Sequence, residues 1–234
     1  MLAASARLIR DPEQLESQLR RMGLRPQRQT MPYPVGASAI VGDCWLVRFG
    51  ALTARVGPAG PAAARPPIAD AGCLLIQPLA ADVPDDPVVA AREVLKLAML
   101  LVDLCDAEQF YWSPADLWSD AAHCRLAVAE MLDSGMPPVL HLVAFVDADH
   151  GGGIRTRGLS HFCGQELSLW PVDGMDRLAQ MRRLVRLALD MTMNGPITAP
   201  RRFPGLVAGE VIQIQPRPAV SGMPLVVEVR ILPE

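Results

Sequence analysis

Residues 151–170 read GGGIRTRGLSHFCGQELSLW and form the densest run of Gly, Arg, His and Glu in a chain otherwise rich in Leu, Val and Ala. An apolar run at 139–146 precedes them, and a second strand-like run, 154–159, follows the glycines. Glycine reaches positive φ without steric cost, so the glycines after Asp147 and Asp149 favour a turn. The stretch therefore predicts a hairpin whose tip lies at residues 147–153.

The same stretch carries a spaced pattern of apolar, glycine and acidic positions. Its members are Thr156, Gly158, Leu159, Phe162, Glu166 and Leu167. The pattern resembles that of the bacterial domain-of-unknown-function family 4261, over roughly residue 139 to the C-terminus. The resemblance implies an α+β domain in a bacterial protein, and it implies no catalytic residues.

Four polar side chains of the stretch are candidate binding residues, namely Arg155, Arg157, His161 and Glu166. One interpretation is a surface site arranged around a glycine turn. The other is structural, with Gly158 and Gly164 turning the backbone while Glu166 accepts a hydrogen bond from a backbone amide or pairs with an arginine. Glycine and charged residues at turns usually serve the turn, which favours the structural interpretation.

The hairpin tip offers a weaker, metal-binding alternative formed by Asp147, Asp149 and His150. Carboxylate and imidazole groups together can bind a divalent metal or share acid–base work. Asp-x-Asp-His-Gly is also an ordinary polar turn, and its spacing fits no defined metal site. We therefore predict no metal and no cofactor.

Composition limits the classes of function. The chain has 234 residues, half of them hydrophobic, and a net charge of −3. Such a charge supplies no broad basic field, which disfavours nucleic-acid binding. The five cysteines include no Cys-x-x-Cys pair, which argues against a zinc ribbon or a disulfide framework. No apolar run is long enough to span a membrane, so we predict a cytoplasmic protein without a membrane partner.

The sequence lacks the short motifs of the common enzyme classes: it has no Walker loop, no Gly-x-Gly-x-x-Gly at a strand-to-helix junction and no Gly-x-Ser-x-Gly elbow. This favours a non-catalytic interaction or regulatory module with a protein partner. The alternative is a small-molecule or metal-dependent enzyme with a polar site around residues 147–166. The oligomeric state stays open.

Hydrophobic periodicity predicts helices over residues 11–22, 86–105, 119–133 and 173–194. Strands are predicted over 73–76, 109–112, 139–146, 207–215 and 225–232, with a pair in 37–56 that turns at Gly50. Residues 25–36 and 200–204 are predicted loops. This order indicates a layered α+β fold, helices packed on a mixed, largely antiparallel sheet. We predict one domain over 1–234 with two lobes, 1–136 and 137–234.

The predicted helix 173–194 carries several arginines, Arg177, Arg182, Arg183 and Arg186. Charge runs on helices are usually solvated, which is the favoured interpretation of these side chains. Together with Arg155 and Arg157 they could instead form an anion-binding face.

Overall fold

The structure, a computed structural model, describes residues 1–4, 11–31, 40, 42–60, 72–148, 151–218 and 224–233. The chain divides into two compact units. The N-terminal unit comprises Met1–Ser113 and Trp118–Gly135, and the C-terminal unit comprises Pro114–Leu117 and Met136–Glu234. Helices and largely antiparallel sheets confirm the predicted α+β class.

The N-terminal unit is built on a seven-stranded sheet of order β2-β3-β4-β5-β1-β6-β7. Its strands are β1 Leu2–Ala4, β2 Gln27–Met31, β3 Gly42–Phe49, β4 Leu52–Pro58, β5 Gly72–Pro78, β6 Gln109–Trp112 and β7 Leu117–Asp120. Its helices are α1 Pro12–Arg21, α2 Pro87–Cys105 and α3 Ala121–Ser134. Helix α1 contacts β3, and α2 contacts β1, β4, β5 and α3.

Local capping explains where the central helix α2 begins. The Asp86 carboxylate accepts hydrogen bonds from the backbone N–H groups of Val88, at 2.8 Å, and Val89, at 3.2 Å. Pro87 occupies the first helical position, where its missing N–H costs nothing. The helix is buried on several sides, as a helix that is apolar nearly all round should be. The predicted helix over 86–105 is confirmed.

The C-terminal unit is built on a six-stranded sheet of order β11-β12-β13-β10-β9-β8. Its strands are β8 Ala144–Asp147, β9 Ile154–Arg157, β10 Gln165–Leu169, β11 Arg201–Pro204, β12 Glu210–Pro216 and β13 Leu225–Pro233. Its helices are α4 Val139–Leu142, α5 Ser160–Cys163 and α6 Arg177–Asn194. Strands β10 and β13 pair parallel, and the other described strand pairs of this sheet are antiparallel.

Helix α6 covers one face of this sheet. Glu210, Ile212 and Ile214 alternate along β12 and so share a face, and all three are buried. Arg183 of α6 bonds the Glu210 carboxylate, which places the helix on that face. The helix buries Leu184, Leu187, Ala188 and Met191, and the neighbouring strands bury Leu167, Leu169, Val227 and Val229. We call this side the helix-covered face.

Several predicted elements are wrong. Residues 139–146 do not form one strand, because the turn of helix α4 follows Pro137 and Pro138 before β8 begins. Residues 25–36 and 200–204 were predicted as loops, yet they contain β2 and β11, which pair with β3 and β12. Both are edge strands of their sheets, where proline is tolerated and apolar alternation is weak.

Two helices begin later than predicted. Residues 117–120 form β7, so α3 begins at Ala121 with Asp120 as its N-cap. Helix α6 begins at Arg177 and is capped by Asp176. Leu178 is apolar but lies in the first turn of the helix and is 52% exposed. No helix in the described ranges is both long enough and apolar enough to cross a bilayer.

Candidate functional site

The predicted hairpin around the glycine run is confirmed. Strands β8 and β9 pair antiparallel with Asp147 opposite Ile154, and the Ala148 N–H donates to the Gly153 carbonyl at 3.0 Å. Asp149 and His150 of the proposed metal group lie outside the described residues. Asp147 is exposed and forms an ion pair with Arg177 at 2.6 Å. Within the described ranges, no three His, Cys, Asp or Glu side chains are grouped as metal ligands.

Glu166 holds the turn between β9 and β10 closed. One carboxylate oxygen accepts hydrogen bonds from the backbone N–H groups of Gly158, at 2.9 Å, and Ser160, at 3.1 Å. The other accepts from the Thr156 hydroxyl at 2.7 Å, and that hydroxyl oxygen accepts from the Leu167 N–H at 2.7 Å. With the side chain buried, these donors replace water around the charge. The arrangement matches the structural interpretation of Glu166.

Gly158 and Arg157 fasten this turn to the segment Pro114–Leu117 of the same unit. Gly158 has φ +95°, and a Cβ atom there would lie 2.7 Å from the Ala115 Cβ, so only glycine fits. Arg157 donates from Nε to the Ala115 carbonyl at 2.7 Å and from Nη2 to the Asp116 carbonyl at 3.1 Å. Its Nη2 also lies 3.2 Å from the Asp116 carboxylate.

The remaining two candidate residues are placed differently. His161 is exposed, its ring packs edge-on against Phe162 with centroids 5.1 Å apart, and desolvation lowers its pKa. Arg155 lies in the middle of β9, opposite Ser168 of β10. Glu166 therefore closes a turn, and Arg157 anchors that turn to a neighbouring segment. His161 is an exposed ring beside the turn, and Arg155 lies on a face of the sheet.

A buried ion pair went unrecognised in the sequence. Arg183 was interpreted as part of a solvated helix face, but its side chain is only 7% exposed. Its Nε donates to both oxygens of Glu210, at 2.9 and 3.0 Å, and its Nη2 donates to the same carboxylate. The Leu206 N–H donates to Glu210 at 3.0 Å. The guanidinium holds the pKa of Glu210 below its usual range.

The sheet face opposite α6 carries a set of polar side chains, which we call the polar face. Directly paired residues of neighbouring strands point to the same side of a sheet. One row therefore runs through Arg202, Gln213 and Arg230, and the next through Gln215, Glu228, Ser168 and Arg155. Trp170 follows β10 on this side, and Arg217 follows β12.

Positive charge dominates the exposed end of the polar face. Arg202, Arg217 and Arg230 are exposed, while Glu228 is half-buried. Arg217 Nη2 donates to Glu228 at 2.6 Å, which raises the pKa of Arg217 and lowers that of Glu228. The Arg230 guanidinium lies 5.3 Å from the Trp170 ring centroid, within the range of a cation–π contact.

The sequence contained a signal for this face. In β12 and its continuation, glutamine and arginine at 213, 215 and 217 alternate with isoleucine and proline, and in β13 polar residues at 228 and 230 alternate with valine and isoleucine. A period of two predicts one polar and one apolar side. Which polar residue of β12 lies opposite which polar residue of β13 depends on the register of the two strands, and the sequence of a single strand does not reveal the register.

Comparison with known proteins gives no match: no protein-family model fits this chain, and neither a curated protein nor a solved structure matches it. The resemblance to family 4261 therefore stays a prediction. The function is inferred from the geometry of the site.

Proposed function

We propose that this chain is a non-catalytic interaction module that binds a protein partner through the polar face of its C-terminal unit. The observation that carries the proposal is the row Arg202–Gln213–Arg230, which presents side chains on three adjacent strands, opposite the helix-covered face. An antiparallel sheet commonly has one packed and one solvated face. On this face Arg202, Gln215 and Arg230 are exposed, whereas Ser168 of β10 is buried, so contacts are available over β11, β12 and β13.

The alternative of an enzyme with a polar site around residues 147–166 receives less support. The Glu166 carboxylate accepts hydrogen bonds from Thr156, Gly158 and Ser160. The Arg157 guanidinium is hydrogen-bonded to the segment Pro114–Leu117. A catalytic acid, base or anion-binding group must reach a shared point where a substrate atom can sit. These two side chains are directed to the protein's own backbone instead.

Affinity capture with matched variants tests the proposal. Arg202→Ala/Arg230→Ala removes two exposed charges from the polar face, whereas Arg182→Ala/Arg186→Ala removes two exposed charges from helix α6. We expect a protein retained by the wild type and by the α6 variant, but lost with the polar-face variant. Identical retention by all three proteins would contradict the proposal, and so would the absence of any retained protein.

A further inference from the structure

We infer that the polar face binds a short acidic segment of a partner protein in extended conformation. This inference rests on the proposed function and specifies the chemistry of the partner. Arginines at positions 155, 202, 217 and 230 lie on this face, where Glu228 is half-buried and hydrogen-bonded to Arg217. Among the described residues, the other acidic residue in register with this face is Glu166 of β10, which is buried and hydrogen-bonded to the turn between β9 and β10. The face therefore carries a local excess of positive charge.

Neutral polar groups beside these charges suit a peptide backbone. Gln213 lies between Arg202 and Arg230, and Gln215 follows two residues later on the same side. An amide side chain both donates and accepts, so it can bond the C=O and N–H groups of an extended chain. Guanidinium groups on either side bind carboxylates, in the bidentate mode when the geometry allows.

The dimensions of the face set the length of the segment. Neighbouring strands are about 4.8 Å apart, so the row from β11 across β12 and β13 to Trp170 spans roughly 14 Å. An extended peptide advances about 3.3 Å per residue. A segment of about five residues therefore crosses the row, and carboxylates at alternate positions point to the same side.

A nucleic acid fits these observations less well. Proteins that bind single strands combine a basic groove with several exposed rings on which bases stack. Trp170 is the one aromatic residue among the described positions of this face, and Arg230 already lies over its ring. The net charge of −3 also opposes a long polyanion more strongly than a short acidic peptide.

Fluorescence anisotropy provides the test. The probe is a fluorescein-labelled peptide of about ten residues in which glutamate alternates with serine, long enough to cross the row. A glutamine–serine peptide and a thymidine oligonucleotide of similar length serve as comparison probes. We expect the acidic peptide to bind most tightly, and to bind more weakly as salt shortens the Debye length from about 10 Å at 0.1 M to about 3 Å at 1 M.

The double variants show which surface of the protein binds the acidic peptide. Arg202→Ala/Arg230→Ala should weaken binding of the acidic peptide about tenfold, the effect of two exposed charge contacts. Arg182→Ala/Arg186→Ala removes the same charge from α6 and should leave binding unchanged. Arg202→Glu/Arg230→Glu should reverse the preference and bind a lysine–serine peptide. Circular dichroism verifies that each variant keeps its fold.

Equal binding of the acidic and neutral peptides would overturn the inference, and so would preference for the oligonucleotide or equal weakening by both alanine variants. If no peptide binds, the acidic chemistry is wrong. In that case a partner whose capture still depends on Arg202 and Arg230 would leave the proposed function standing, with a partner of different chemistry. Capture that is independent of both residues would remove the proposed function as well.

Discussion

The buried pair between Arg183 and Glu210 predicts a large and local loss of stability when its carboxylate is neutralised. Glu210→Gln keeps the size of the side chain and removes its charge. Both side chains of the pair are under 10% exposed, at 7% for Arg183 and 6% for Glu210. After the substitution the guanidinium stays charged and buried, because arginine side chains are not deprotonated in proteins. It would then lack its carboxylate partner.

Breaking a buried ion pair in this way costs about 3–5 kcal/mol, since the remaining charge is uncompensated. A domain's whole stability is about 5–15 kcal/mol, so the loss is a large part of it. The double variant Arg183→Met/Glu210→Leu is the control, because it removes both charges together. Such replacements are often neutral or stabilising. We therefore expect the double variant to be more stable than the single one.

Hydrogen–deuterium exchange resolved by mass spectrometry measures the loss of stability in each segment of the chain. Opening free energies from peptides of α6 and β12 report on the C-terminal unit, and peptides of α2 provide an internal reference from the N-terminal unit. Glu210→Gln should increase exchange in the first set and leave the reference unchanged. A loss below about 1 kcal/mol, the size typical of an exposed pair, would refute the reasoning. Equal losses in the single and double variants would do the same.

The same pair makes a pH prediction. Arg183 lowers the pKa of Glu210 from its ordinary 4.5 in the folded protein. The stabilisation is therefore complete above about pH 4.5 and is lost as the pH falls through the lowered pKa. Urea unfolding followed by circular dichroism should show a wild-type advantage over Glu210→Gln that is constant near neutrality and shrinks in acid. An advantage that grows in acid would contradict the assigned partner.

Three further predictions concern single sites. Gly158→Ala and Gly164→Ala both place a side chain at positive φ, which costs about 1–2 kcal/mol. Only the Cβ atom added at position 158 would also lie within 3 Å of backbone and Cβ atoms. Thermal denaturation should therefore show Gly158→Ala to be the less stable variant. Glu166→Gln weakens charge-assisted hydrogen bonds and should cost about 1.5–3 kcal/mol, with faster exchange confined to the turn between β9 and β10. Burial raises the pKa of Cys124 to about 12, so iodoacetamide should alkylate the half-buried Cys163 first, and the reverse order would refute the assigned burial.

Local chemistry made parts of this fold predictable. Asp11 and Asp86 each stand before a proline at a helix start, and each accepts hydrogen bonds from backbone N–H groups of the first turn. Such signals act within four residues, so the sequence alone reveals them. Strands β2 and β11 depend on partners elsewhere in the sheet, and their own residues are largely polar. A strand whose stability comes from pairing carries little signal of its own.

In the candidate site, too, contacts between residues close in sequence could be predicted and contacts between distant residues could not. The turn role of Glu166 was one of two interpretations open from glycine spacing, and its donors all lie within ten residues. Arg183 looks like its neighbours Arg182 and Arg186 in sequence, but its partner Glu210 is 27 residues away. No local pattern distinguishes an arginine that faces water from one that meets a carboxylate across a sheet.

The two buried carboxylates show why polar residues concentrated in a motif need not mark a binding site. Glu166 is stabilised by neutral donors, and its removal would leave two amides and a hydroxyl without that acceptor. Removal of the Glu210 charge would leave the positive charge of Arg183 buried without a carboxylate partner. Glu210→Gln should therefore destabilise the fold more than Glu166→Gln does. In both places the folded chain already supplies the partner that a ligand would have to replace. Arg202, Arg217 and Arg230 of the polar face are exposed, so an external carboxylate can reach them without dismantling a turn or a core.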